Sequence, residues 1–178
     1  MEYFLLKLSP KVKNPIRLRA YYADTDSPIV TYESLKELSV AYIEDKGEVE
    51  LTDILTSPIF MVSGQVKQLL QLFDPDIKFK AIQMFGFYQK EELKPLYYVP
   101  KFQEYPCLHK EVAVNPNGTV NEVVLDKSKT PEASIFRIQG LMENRIIVSL
   151  EVAESLLRRP FYGIGLEKVE VKAWATNI

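Results

Sequence analysis

One cysteine and one histidine are the scarcest chemical resources of this 178-residue chain. A single thiol excludes an intrachain disulfide framework and any cysteine-rich zinc site, and a single imidazole excludes centres built from two or more histidines. Seven glycines are scattered, with no G-x-G-x-x-G and no G-K-[ST] segment, so no phosphate-cradling loop is written in the sequence. No run of about 18 apolar residues occurs, which leaves no segment to span a bilayer as a helix. Tyr3-Phe4-Leu5-Leu6 is apolar, but Lys7 interrupts it and Pro10 follows, unlike the apolar core of a signal peptide. A cytoplasmic location is the expectation. Excess charge of one sign is also missing. Twenty-two Lys and Arg stand against 24 Asp and Glu, a net charge of −2 that offers no field to steer nucleic acid or an anionic membrane.

What is present is a globular composition, 47% apolar and 26% charged, in a chain long enough for one sizeable core. The length predicts a single domain over 1–178. Glu2–Leu8 reads as an opening strand, and Ile16–Tyr22 as a second, with Ile16, Leu18 and Ala20 alternating against Arg17 and Arg19. Tyr32–Leu38 reads as a short helix and Val40–Ile43 as a strand. From Pro58 the pattern sharpens. Ile59–Val62 predicts a buried strand, Ser63 a helix N-cap, and Val66, Leu69, Leu70 and Phe73 one helix face. Pro75 ends that helix, and Ile77–Met84 is extended.

The same order returns near the C-terminus. Ile146–Val148 precedes Ser149, then Val152, Ala153, Leu156 and Leu157 mark a helix face, Pro160 stops it, and Leu166–Trp174 alternates as a strand. Ser63 and Ser149 lie 86 residues apart, as do Val66 and Val152, while Ile77 and Ile164 are 87 apart. Internal duplication and chance agreement of short amphipathic stretches both account for this. The predicted fold is therefore α+β, with two strand–helix–strand units and a mainly antiparallel β insert between them. Within the insert, Val112–Val114 and Val120–Leu125 flank Asn115-Pro116-Asn117-Gly118, a hairpin signal. Asn117-Gly118-Thr119 is also a glycosylation sequon, for which turn chemistry is the better account.

Several clusters invite a chemical reading. Cys107-Leu108-His109 holds the only thiol and imidazole, as a nucleophile and base would require. Side chains two apart on a strand project in parallel, however, and a packed Cys with a partly exposed His explains them better. Asp24/Asp26 and Asp74/Asp76 have carboxylates at i, i+2, but lack the further ligands and glycine of a calcium loop. Turns explain both pairs. Arg158-Arg159 suits a helix C-terminus, and Lys78 and Lys80 read as a solvated strand face. No catalytic residue, metal ligand or cofactor is assigned.

Aromatics are the abundant class, with ten Tyr and nine Phe. Many crowd Phe85–Tyr105, a stretch broken by Pro95 and Pro100 and followed by Pro106. Tyr88, Tyr97, Tyr98, Phe102 and Tyr105 are the candidate partner-contact residues, because rigidly held aromatic rings make good binding anchors. The other account is that they fill a β-rich core, each hydroxyl reaching the surface.

Val123-Val124-Leu125-Asp126-Lys127-Ser128-Lys129, Ile135-Phe136-Arg137-Ile138, Gly140, Ile147-Val148-Ser149, Gly163 and Leu166-Glu167-Lys168-Val169, with the earlier Met61-Val62-Ser63, form a pattern. It resembles the bacterial polymorphic-toxin immunity proteins of the group numbered eleven, formerly a domain of unknown function. The likeness covers about residues 58–171 as a family-like core, leaving 1–57 as a variable, β-rich N-terminal portion. Cys107-Leu108-His109 departs from the family pattern, where an aspartate-containing turn is usual. The resemblance implies a non-enzymatic antidote that binds and neutralises a cognate protein toxin in the cytoplasm of the producing bacterium. It carries over no catalytic residue. The alternatives are an enzyme or small-ligand-binding domain with a site assembled from distant residues, and an interaction module whose partner is unrelated to toxins or is a second copy.

Overall fold

The computed structural model describes residues 1–21, 30–44, 47–88 and 91–173. In chain order these form β1 (Tyr3–Leu8), β2 (Leu18–Tyr21), β3 (Leu38–Ile43), β4 (Ile54–Leu55), β5 (Met61–Ser63), α1 (Gly64–Phe73), β6 (Lys78–Tyr88) and β7 (Glu91–Leu93). There follow β8 (Leu96–Lys101), β9 (Glu104–Tyr105), β10 (Val124–Asp126), β11 (Ile135–Ile138), β12 (Ile146–Ser149), α2 (Leu150–Leu157) and β13 (Ile164–Lys172).

Two mixed sheets carry the fold. One has the order β10-β13-β1-β12-β11-β9, and the other β2-β3-β6-β8-β5-β4 with β7 paired to β6. This overturns the α+β expectation. The described residues form thirteen strands against two helices of ten and eight residues. The strands flanking each helix are not neighbours either. β8 lies between β5 and β6, and β1 lies between β12 and β13, antiparallel to both partners in each case. Nor is there an insert. β6, β7 and β8 belong to one sheet, β9, β10 and β11 to the other, because the intervening chain has enough alternating apolar residues to extend both.

The helix caps are built locally. The Ser63 hydroxyl accepts the Val66 N–H at 3.3 Å and donates to Asp53 Oδ1 at 2.6 Å. Ser149 accepts the Val152 N–H at 3.5 Å. Each satisfies an N–H that the first helical turn leaves unpaired. The predicted helix over Tyr32–Leu38 is instead a run of turns. The Thr31 N–H donates to Ser34 Oγ at 3.0 Å and the Ser34 N–H donates to Thr31 Oγ1 at 3.2 Å. These side chains offer the backbone a local alternative to the helical ladder. The Asn115–Gly118 turn forms with Gly118 at φ 75°, but only one bridge, Val114 to Val120, flanks it. The Asp24/Asp26 turn, Tyr22 and Trp174 lie outside the described residues.

Alternation along each strand feeds three apolar clusters. Leu6, Ile146 and Val148 face α1 and α2, where Val66, Leu70, Val152 and Leu156 join Val62 and Ile54 of the other sheet. Tyr3, Leu5, Phe136 and Ile147 face the opposite way, onto Cys107, Val120 and Leu141. The second sheet turns Ala41, Ile82, Met84, Tyr97 and Val99 toward Ile16, Val30, Leu35 and Ile59. Among the described residues no helix is long and apolar enough to cross a membrane.

Candidate functional site: an open cleft where the sheets exchange a strand

Only Phe102 and Gln103 separate β8 of one sheet from β9 of the other. At that crossover a cleft of about 870 Å³ opens. Phe60 and Phe102 form its floor, with ring centroids 6.0 Å apart at 53°. One wall comes from the second sheet: Lys78 and Lys80 of β6, Lys101 of β8, and the turns carrying Tyr32, Glu33 and Glu37. The facing wall comes from the first: Glu104 of β9, Arg137 of β11, and Leu141, Met142 and Asn144 beyond it.

Both walls hold their charges in place. The Tyr32 ring receives two ammonium groups, Lys80 Nζ at 4.6 Å and Lys101 Nζ at 5.4 Å from its centroid. Lys80 also donates to the Tyr32 and Leu35 carbonyls at 3.1 and 2.7 Å. Its half-buried ammonium is therefore a fixed part of the wall, and not the solvated strand charge expected from its alternation with Phe79. Lys101 Nζ bridges Glu33 Oε1 at 2.8 Å. That hydrogen bond draws the Glu33 carboxyl below its ordinary range and raises the Lys101 ammonium above its own. Desolvation, reinforced by Glu37, raises the Tyr32 phenol. Across the cleft, Arg137 Nη1 donates to Glu104 Oε1 at 2.7 Å and Nη2 to the Leu141 carbonyl at 3.2 Å.

The five aromatic candidates are dispersed. Phe102 lies on the cleft floor. Tyr97 is buried on the Ile82 side of β8, 3% exposed, and its hydroxyl donates to the Thr52 carbonyl at 2.6 Å. Burial is the main reason its phenol is pushed up to about 12. Tyr98 points to the opposite face of the same strand, half-buried, with Lys67 Nζ 4.2 Å above its ring. Tyr105 is half-buried and meets Phe136 edge-on at 5.8 Å. Tyr88 ends β6 with its backbone paired to Glu91, and its side chain lies outside the described residues. Tyr32, Glu33, Lys101, Glu104, Arg137 and Met142 went unassigned. The signals that could have found them were the charged Arg137 inside the apolar run Ile135-Phe136-Arg137-Ile138 and the Tyr32-Glu33 step within a turn-prone stretch.

The Cys107–His109 segment serves the core. Its backbone pairs with β10, the Asp126 N–H donating to Cys107 O and the His109 N–H to Val124 O, both at 2.8 Å. Both side chains are buried. Burial pushes the Cys107 thiol up to about 11, the wrong direction for a nucleophile. His109 Nδ1 accepts the Glu111 N–H at 3.3 Å. Asp74 Oδ1 likewise accepts the Asp76 N–H at 3.1 Å, closing a turn. Arg158 caps α2 and bridges Glu154 at 2.8 Å. Among the described residues, no three His, Cys, Asp or Glu side chains gather as metal ligands. Compared with known proteins, the chain matches no family model and no curated protein.

Proposed function

We propose that this chain is a non-enzymatic immunity protein of the bacterial cytoplasm, which binds and neutralises a cognate protein toxin by seating a toxin segment in the inter-sheet cleft. The resemblance of residues 58–171 to toxin-immunity proteins motivates the class. The observation that carries the reading is the cleft itself, with the Lys101–Glu33 and Arg137–Glu104 pairs held on its opposite walls. Exposed apolar surface at Met142 and Pro58 beside these polar side chains matches the mixed character of a protein interface. Held charges lower the ordering cost of association and set the register of the partner through complementary charge.

The test is co-expression with the protein encoded beside it, scored by cell survival, followed by titration of the two purified proteins. The chain should restore growth and bind with one-to-one stoichiometry. Met142 stands on the lip, 61% exposed, and Met142→Glu should leave the melting temperature unchanged while weakening binding at least tenfold. Equal killing with and without the chain would end the immunity reading. Full affinity in Met142→Glu would move the toxin to another face.

A further inference from the structure

The ladder that builds one wall of the cleft sets two lysines directly against each other. β6 and β8 run antiparallel with Lys78 opposite Lys101, and Lys80 follows two residues along the same face. Opposed residues bring their Cβ atoms to about 4.5–5.5 Å, and like charges placed so are destabilising. Lys80 is occupied by carbonyls and the Tyr32 ring. Lys101 is neutralised by Glu33, through a bridge whose side chains are 53% and 66% exposed. Lys78 is exposed and has no ion pair or hydrogen bond from its side chain among the described residues. The opposed cations are thus half-compensated, by an acid on a turn rather than on the ladder.

We infer that the cleft receives an acidic protein segment, whose carboxylate docks between Lys78 and Lys101 and displaces Glu33. This deepens the antidote reading by naming the chemistry of what the cleft takes. Glu33 is then an internal stand-in for the partner's carboxylate, released when the partner arrives. Glu37, Asp76 and Glu104 also line the cleft, so selection rests on position and not on net charge. Glu33, Glu37 and Asp76 occupy the turns before β3 and β6, and Glu104, on β9 across the cleft, is held by Arg137.

The probe is a pair of fluorescent dodecapeptides, one alternating Glu with Phe and one alternating Lys with Phe, titrated with the full chain by anisotropy. The acidic peptide should bind, and more weakly as salt rises. Lys78→Met and Lys101→Met should each weaken it about three-fold, and Glu33→Gln should strengthen it by a similar factor, the scale of one exposed ion pair. Lys168→Met removes a cation on the other sheet, paired with Glu2, and should change nothing. Equal binding of the two peptides would overturn the inference. So would an effect of Lys168→Met matching that of Lys78→Met, a silent Glu33→Gln, or tighter binding of a single-stranded oligonucleotide than of the acidic peptide. Preference for the acidic peptide without toxin capture would sink the antidote reading alone. Toxin capture with no peptide preference would sink only this inference.

Discussion

Removing a single oxygen atom tests how the second sheet is held. Tyr97→Phe keeps the ring, which packs against Ile82, Met84 and Ile59, and deletes only the hydroxyl that donates to the Thr52 carbonyl at 2.6 Å. Thr52 is itself 3% exposed, so its carbonyl loses a partner that water does not readily replace. A buried acceptor left unpaired costs about 1–3 kcal/mol, and the variant should be less stable by that amount near pH 8. The alkaline range supplies a second, independent reading. Tyr97 keeps its proton in the folded chain up to about 12, against 10.0 for a phenol in water. A folded value above the unfolded one stabilises the native state fully below pH 10, and that contribution is lost as pH climbs through the window to about 12. Each unit is worth about 1.4 kcal/mol, so wild type should surrender roughly 2–3 kcal/mol across the window through this one phenol. Tyr97→Phe has no such proton to lose. Urea denaturation followed by far-ultraviolet circular dichroism, repeated at pH 8, 9, 10 and 11, yields both curves. Their difference isolates Tyr97, because every other titrating group is common to the two proteins. The gap should be widest at pH 8 and close steadily above pH 10. Equal urea midpoints at pH 8, or parallel curves through pH 11, would refute the account.

Two further outcomes follow from the packing. Gly163 sits at φ +87°, and a Cβ there would lie 2.7 Å from Thr52 Cβ and 2.8 Å from Thr52 Cγ2. Gly163→Ala therefore combines left-handed strain with overpacking, about 2–4 kcal/mol together, and should lower the melting temperature by roughly 5–15 °C; a shift within 2 °C would show that the turn relaxes freely. Cys107 is 0% exposed and its thiol is held up to about 11. An aromatic disulfide reagent at pH 8 should accordingly leave it unmodified for hours and label it promptly in urea, and fast labelling of the native chain would place the thiol in solvent.

What the sequence discloses is what neighbouring residues decide. Ser63 with Val66, and Ser149 with Val152, are three residues apart, and both caps form because the hydroxyl and the N–H it serves lie within one turn. Sheet order depends on registers that no local window contains. Tyr3 pairs with Ser149 on one side and Val169 on the other, so two segments that read as strand–helix–strand units are parted by strands from elsewhere. Where local signals conflict, the stronger hydrogen bond decides: Thr31 and Ser34 tie off the backbone before Tyr32–Leu38 can wind into a helix. The site was legible in part. Phe102 stands at the cleft base, yet the cleft's chemistry depends on Phe60, Lys78 and Arg137, which three separate strands and loops deliver. Tyr97 and Tyr98 are adjacent in sequence, and the two-residue period of β8 sends them to opposite faces, a separation that aromatic content alone does not reveal.

The earliest of the described strands lies in the interior of its sheet. Tyr3–Leu6 is flanked by Ile146–Ser149 and by Leu166–Val169, both made much later in synthesis. At about 5–20 residues per second, roughly 7 to 30 seconds pass before either flank exists. Throughout that interval an apolar strand with two open edges waits in the cell, while β5–β8 of the other sheet are already complete in sequence and free to associate. Nascent chains should therefore show protease-resistant pairing around Met61–Lys101 well before Tyr3–Leu8 becomes protected, and a factor that shields hydrophobic strands should engage the first residues and leave only when the last strand arrives.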